Sequence, residues 1–81
     1  MAGNGERLLQ AVADALKVDV ASVDKNSSQD TLEGWDSLGM INLVAELERV
    51  FEVQFDILEI SDFRNISIIK SILAEKGIRF D

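Results

Sequence analysis

Residues 37–52, SLGMINLVAELERVFE, carry the clearest helical pattern in the chain. Apolar side chains recur here at three- and four-residue spacing, which is the repeat of an amphipathic helix. The stripe that we expect to face the core consists of Met40, Leu43, Val44, Leu47, Val50 and Phe51. At about 100° per residue, a second set falls on a different face: Leu38, Ile41, Ala45, Glu48 and Glu52. This smaller apolar patch, ringed by acids, either packs under a neighbouring loop or docks a partner.

The residues before this helix predict one further helix and one long loop. Residues 5–16 place Leu8, Leu9, Val12, Ala13 and Leu16 at helical spacing, and Asn4 is a candidate cap. Residues 17–36 lack that repeat and contain a run of turn-forming residues from Asp24 to Asp30. We expect this loop to be held onto the helices by Val18, Val20, Val23 and Leu32.

The residues after the central helix predict a short helix and a final helix. Asp56 is a candidate cap for a short helix or turn over residues 56–63. Ser67 is a candidate cap for a last helix, which Gly77 can end in the left-handed conformation. That helix is expected to be buried by Ile68, Ile69, Ile72 and Leu73. Together, these segments predict an all-α fold: a small four-helix bundle with three main helices, one short helix and a long first loop.

Length and composition restrict the possible functions. The 81 residues predict a single domain over residues 1–81, and a hydrophobic content of 47% is enough for a small core. The absence of cysteine and histidine removes disulfides, thiolate metal sites and the commonest general base. No apolar run reaches the roughly 18 residues of a membrane span, and the N-terminus lacks a signal-peptide layout. These absences argue against a self-sufficient enzyme and favour a small cytoplasmic binding or carrier module. Met1 and the short ends favour a stand-alone protein, which we expect to be a monomer.

The net charge of −7 is concentrated in one segment. Residues 30–63 contain nine acidic residues and a single base, Arg49, and therefore carry −8. Such a field repels nucleic acid and anionic membranes and attracts basic protein surfaces. The segment is either a solvated face that keeps the protein soluble or a docking surface for a basic partner.

Ser37 lies at the predicted start of the central helix, beside Asp36. Serine and aspartate are both common N-caps, so Ser37 is either a cap or a substrate for another enzyme. A serine hydrolase is excluded because no histidine is present and the spacing is not Gly-x-Ser-x-Gly. A phosphoryl group on Ser37 would lie near the positive end of the helix dipole.

The sequence also contains a candidate calcium-binding loop. Alternating oxygen-bearing side chains occur at Asp24, Asn26, Ser28 and Asp30. The sixth position of such a loop is Gln29 rather than glycine, and the twelfth is Trp35 rather than glutamate. We therefore expect no metal site in the chain.

The segment from Gly34 to Leu38, GWDSL, followed by INLVAELE at residues 41–48 and by Phe51, resembles the signature of acyl carrier proteins and peptidyl carrier domains. The resemblance covers nearly the whole chain, including the long first loop and the short third helix. It implies that Ser37 receives a 4′-phosphopantetheine arm from coenzyme A through a phosphopantetheinyl transferase that uses Mg²⁺. The arm's thiol would carry acyl or aminoacyl groups as thioesters, while other enzymes perform the chemistry.

The same resemblance assigns further roles. Asp36, which precedes the serine, is expected to assist the modification. Partner-docking roles fall to the apolar side chains Leu38, Ile41 and Ala45 and to the charges of Glu48 and Glu52. The partners implied are the transferase and acyl- or aminoacyl-loading and condensing enzymes with basic docking surfaces.

Some positions depart from the carriers of fatty acid synthesis, which commonly have acidic residues just after the Ser-Leu pair. Gly39, Met40 and Asn42 occupy those positions here, and Arg49 interrupts the acidic row. The expected role is therefore an acyl carrier of fatty acid, polyketide or related secondary biosynthesis, with a specialised pathway at least as well supported. The alternatives are an aminoacyl or peptidyl carrier of a nonribosomal peptide or D-alanine pathway, and an unmodified helical adaptor.

Overall fold

The computed structural model describes residues 3–80, which form four α-helices. The helices are α1 (Asn4–Leu16), α2 (Ser37–Phe51), α3 (Ile57–Ser61) and α4 (Ile66–Glu75), and a short 3₁₀ turn spans Val20–Ser22. Within this range the only strand-like pairing is an isolated bridge between Ser28 and Asn65. The predicted all-α fold, with three main helices, one short helix and a long first loop, is confirmed.

The apolar stripe of α2 faces the centre of the bundle, as its spacing predicts. Leu43 and Leu47 are completely buried, and Phe51 is nearly so. The remaining stripe residues, Met40, Val44 and Val50, are half-buried at the edge of the core. The other helices and the chain before α4 contribute further fully buried side chains: Leu8, Val12, Phe63, Ile66, Ile69 and Leu73.

The first two main helices run antiparallel and are joined by the long loop. Near the start of α1, Arg7 donates a hydrogen bond of 2.7 Å from Nη2 to the carbonyl oxygen of Val50, in the last turn of α2. At the other end, the side chain of Leu16 lies against Gly39, in the first turn of α2. The C-terminal end of α1 therefore lies beneath the N-terminal end of α2.

Two of the predicted helix caps are wrong. Gly3 is the N-cap of α1, and Asn4 is already helical, with its side chain bonded to the Arg79 carbonyl oxygen at 2.9 Å. The N-cap of α4 is Asn65, whose Oδ1 accepts the Ile68 amide at 2.9 Å. Ser67 lies inside the first turn of α4, because the helix begins at Ile66. Asparagine is as good an N-cap as serine, and the extended backbone at Asn65 makes it the cap.

The long loop is held to the bundle by apolar and backbone contacts. Val23 and Leu32 are buried, as predicted, whereas Val20 is 41% exposed and does not anchor the loop. Val20 lies in the 3₁₀ turn, which directs its side chain outward. The Ser27 carbonyl oxygen accepts the Ile66 amide at 3.1 Å, and the Gln29 amide donates to the Arg64 carbonyl oxygen at 3.0 Å.

The short helix α3 begins as predicted, with Asp56 as its cap. Asp56 Oδ1 accepts the Glu59 amide at 2.8 Å, and Glu59 Oε1 accepts the Asp56 amide at 3.0 Å. These reciprocal bonds form a capping box. Glu59 also forms an ion pair of 2.8 Å with Lys76, just beyond α4. Gly77 follows with φ of +98°, which confirms its predicted left-handed conformation.

In the part of the chain that the structure describes, no helix has both the length and the apolar character needed to cross a lipid bilayer.

Candidate functional site

Asp36, rather than Ser37, is the N-cap of α2. Its Oδ1 accepts a hydrogen bond of 2.9 Å from the Gly39 amide, and its carbonyl oxygen accepts the Met40 amide at 2.7 Å. Ser37 is the first residue of the helix. The alternative in which Ser37 caps the helix is therefore wrong, and its hydroxyl is not needed for capping.

The Ser37 side chain is exposed at the positive end of a 15-residue helix. The amides of a first helical turn lack carbonyl partners within the helix, and together with the dipole they favour an anion. A phosphate ester on this hydroxyl would therefore be electrostatically favoured. An exposed hydroxyl at this position is accessible to another enzyme and fits the attachment of a bulky group.

Trp35 anchors the end of the long loop immediately before the cap. Its indole is only 4% exposed and belongs to the hydrophobic core. Its Nε1 has no hydrogen-bond partner among residues 3–80, so the side chain holds the loop by packing. Because Trp35 is fixed on one side and Asp36 bonds to α2 on the other, Ser37 is attached to a well-held backbone.

Gly39 makes a contact that the sequence interpretation missed. A Cβ atom built on Gly39 would collide with the carbonyl oxygen of Gly34 and would lie 3.0 Å from Cδ2 of Leu16. The sequence interpretation noted Gly39 only as a departure from other carriers. A signal was available, because glycine within a helix costs about 1 kcal/mol relative to alanine and is the residue that permits a close approach of two backbones.

The second apolar face of α2 remains exposed. Leu38 is 67% exposed and Ile41 is 66% exposed, and Ala45 is exposed one turn further along. The alternative in which these side chains pack under the loop is therefore wrong. Their role in docking a partner stays a prediction, now for side chains that are accessible to one.

The two glutamates predicted to dock partners have different surroundings. Glu48 is half-buried, and its Oε2 accepts the Phe55 amide at 2.9 Å. Glu52 is exposed and forms the C-cap of α2 with φ of +55°. Between them, Arg49 binds Glu46 through a contact of 2.7 Å, which raises the pKa of Arg49 mainly through the hydrogen bond. The acids of α2 are thus not equivalent, and Glu48 already has a structural contact.

Two apolar side chains on α3 were also missed by the sequence interpretation. Ile57 and Leu58 are 79% and 76% exposed, the highest values among the large hydrophobic residues described. The sequence feature that could have indicated their exposure is their position directly after the Asp56 cap, in a predicted helix too short to bury all of its apolar residues. Ile60, on the same helix, packs against the core.

In the candidate calcium loop, several side-chain oxygens accept hydrogen bonds from the backbone of the loop itself. Asp24 Oδ1 accepts the Asn26 amide at 2.8 Å, and Ser27 Oγ accepts the Asp24 amide at 2.9 Å. Thr31 Oγ1 accepts the Ser28 amide at 2.8 Å. These side-chain oxygens stabilise successive turns of the backbone, as polar residues of tight loops commonly do.

Comparison with known proteins identifies one family. A family model described as a phosphopantetheine attachment site matches residues 6–73, well over half of the chain. The matched range contains the cap, the exposed serine and the whole of α2 and α3. No curated protein matches the chain well enough to be reported as a relative.

Proposed function

The chain belongs to the phosphopantetheine attachment site family, and on that premise we propose that Ser37 is the residue that carries the 4′-phosphopantetheine arm. The observation that carries the proposal is the exposed Ser37 hydroxyl at the first position of α2. Asp36 caps the helix, so the Ser37 hydroxyl has no capping role. The first-turn amides of α2 favour the phosphate that links such an arm to the protein. When attached, the arm supplies a thiol that holds cargo as a thioester. The chain itself has no thiol, because it contains no cysteine.

Within this proposal, the residues of the chain present the attachment point rather than perform chemistry. Asp36 Oδ1 is bonded to Gly39, and Asp36 is exposed beside Ser37. We assign to Asp36 the placement of Mg²⁺ in the complex with the transferase, since carboxylate oxygens are the usual protein ligands of that ion. The carrier is acted on by other enzymes, and we expect no catalytic group in it.

We assign partner docking to the face of α2 next to Ser37. The exposed side chains of Leu38, Ile41 and Ala45 offer an apolar contact, and Glu52 offers a charge to a basic surface. Glu48 contributes charge while its carboxylate also holds the Phe55 amide. The partners of the family are a phosphopantetheinyl transferase and cargo-handling enzymes. For this chain we propose acyl- or aminoacyl-loading and condensing enzymes with basic docking surfaces.

For the cargo, we propose acyl intermediates of fatty acid, polyketide or related secondary biosynthesis. The lack of acidic residues at Gly39, Met40 and Asn42 supports a specialised pathway. The competing proposal is an aminoacyl or peptidyl carrier of a nonribosomal peptide or D-alanine pathway. In either case we propose a monomeric, cytoplasmic carrier domain over residues 1–81.

The intact mass of the protein isolated from its native cells tests this function. We expect a gain of about 340 Da for the arm alone, an estimate from the formula of the hydroxyl-linked group, plus the mass of any cargo. The cargo mass distinguishes an acyl from an aminoacyl group. Protein that carries neither arm nor cargo, isolated from cells that express the transferase, would favour the unmodified adaptor.

A further inference from the structure

We propose that Gly39 is a positioning residue for the modification of Ser37. Because Gly39 has no side chain, the backbone of Gly34 can lie directly against the first turn of α2 and hold Asp36 and Ser37 in place. The inference rests on the proposed attachment of the arm at Ser37 and adds a residue to which neither the family match nor the sequence interpretation gives a role.

The contact consists of backbone atoms, which cannot rotate away. A Cβ on Gly39 would meet the carbonyl oxygen of Gly34, and the carbonyl carbon lies 2.9 Å from the same position. A side chain could turn aside to make room, but a carbonyl group moves only if the loop moves. Gly39 is also buried, so an added methyl group cannot project into solvent instead.

The contact is also restricted from the side of the loop. Gly34 has φ of +87°, a conformation that side chains other than glycine rarely adopt. A Cβ there would lie 3.1 Å from the carbonyl oxygen of Leu16, at the end of α1. Two glycines therefore lie where three segments meet: the end of α1, the end of the loop and the start of α2. We call the close approach of Gly34 and Gly39 the glycine contact.

Only four residues separate the two glycines, and both proposed modification residues are among them. Trp35 is buried, and Asp36 Oδ1 is bonded to the amide of Gly39 itself. Gly39 therefore acts on Asp36 in two ways, through its amide and through its missing side chain. A displacement of Gly34 away from α2 would be transmitted along this short segment to Asp36 and Ser37.

The chemistry requires that placement. In the transfer, Ser37 Oγ forms a bond to the pantetheine-bearing phosphorus of coenzyme A, and the P–O bond to the departing 3′-phosphoadenosine 5′-phosphate breaks. The proton of the Ser37 hydroxyl passes to a base of the transferase. Attack on phosphorus needs the oxygen in line and close, so a shift of about 1 Å can cost up to roughly a hundredfold in rate.

The test compares the kinetics of transfer for wild type, Gly39→Ala and Asp36→Asn, with folding measured by circular dichroism and rates normalised to the folded fraction. For Gly39→Ala we expect kcat/KM to fall roughly tenfold to a hundredfold, mainly through kcat. We also expect its Mg²⁺ dependence to shift in the direction seen with Asp36→Asn, which a loss of stability alone would not produce.

Two matched controls separate positioning from stability. Gly5→Ala adds a methyl group where no atom lies within 4 Å, and Ile69→Val weakens the core on α4. Both should be modified at the wild-type rate per folded molecule. If Gly39→Ala does not fold, Gly34→Ala carries the same expectation, because it strains the positive φ of Gly34 and crowds the Leu16 carbonyl oxygen and should therefore displace the same end of the loop.

The outcomes distinguish this inference from the function on which it rests. Wild-type protein that gains no mass at Ser37 would contradict the proposed function and the inference together. Wild-type protein that is modified, with Gly39→Ala or Gly34→Ala modified equally fast and with the same Mg²⁺ dependence, would overturn the positioning role alone.

Discussion

The carboxylate of Glu48 and the backbone of Phe55 are joined by a hydrogen bond of 2.9 Å. The bond links the last part of α2 to the residue before the cap of α3. The ring centroids of Phe55 and Phe63 are 4.9 Å apart in an edge-on arrangement, and the Lys76 ammonium lies 5.4 Å from the centroid of the Phe55 ring. Phe55 is thus the point at which α2, α3 and the end of α4 are held together.

Glu48→Ala should lower the free energy of unfolding by about 1–3 kcal/mol, because the Phe55 amide loses its acceptor in a partly buried position. Glu48→Gln keeps an oxygen acceptor and should cost less. Urea unfolding monitored by circular dichroism measures both. Equal stability of the alanine variant and wild type would show that the bond does not contribute.

Glu52→Gly should raise the free energy of unfolding by about 1 kcal/mol. Glu52 adopts φ of +55° at the C-cap of α2, a conformation that costs most L-residues roughly 1–2 kcal/mol and glycine almost nothing. The substitution also removes a negative charge from the negative end of the helix dipole. Ser71→Gly, on the exposed side of α4, is the matched control and should be destabilising. A destabilised Glu52→Gly protein would argue against this reading of the cap.

The stability that Glu59 contributes should be lost in acid. The hydrogen bond from Lys76, followed by the Asp56 amide, holds the pKa of Glu59 below its ordinary value of 4.5. A carboxyl whose folded pKa is lowered contributes stability above its unfolded pKa, and the contribution disappears as the pH falls through the folded pKa. Thermal unfolding of wild type and Glu59→Gln should therefore differ at pH 7 and converge below pH 4.5. A difference that persists at the lowest pH would contradict the assignment.

Periodic patterns predicted the helices of the fold, whereas residue type alone did not identify which residue caps each helix. The spacing of Leu43, Leu47 and Phe51 correctly predicted the buried face of α2, because the apolar stripe of an amphipathic helix packs against the core. Asn65 and Ser67 both qualify chemically as caps, and only the backbone conformation distinguishes them. The same ambiguity applied to Asp36 and Ser37 at the start of α2.

The candidate site was predictable where it depended on local spacing. Leu38 and Ile41 were placed on a separate face of α2 by the helical repeat alone, and they are exposed there. A glycine inside a helix is a local signal of a close contact, but the partner of Gly39 depends on how the loop returns to the helix and brings Gly34 against it. Ile57 and Leu58 were missed because their exposure depends on how few residues α3 contains.

Leu38→Ala should weaken the interaction with partner enzymes without unfolding the protein. The side chain is 67% exposed, so we expect its truncation to change stability by less than about 0.5 kcal/mol. The KM of a partner enzyme for the modified carrier should rise, because an apolar contact at the interface is lost. Val20→Ala, in the first loop, is the control and should leave KM unchanged. Equal KM values for both variants would remove Leu38 from the docking surface.

The central claim is that Ser37 carries the arm, and mass spectrometry after transfer tests it most directly. The purified chain is incubated with coenzyme A, Mg²⁺ and a broad-specificity phosphopantetheinyl transferase, beside Ser37→Ala and the exposed-serine control Ser71→Ala. We predict one addition of about 340 Da, as expected for a hydroxyl-linked arm, in wild type and Ser71→Ala and none in Ser37→Ala. A mass gain that persists in Ser37→Ala, or is absent from wild type, would contradict the account.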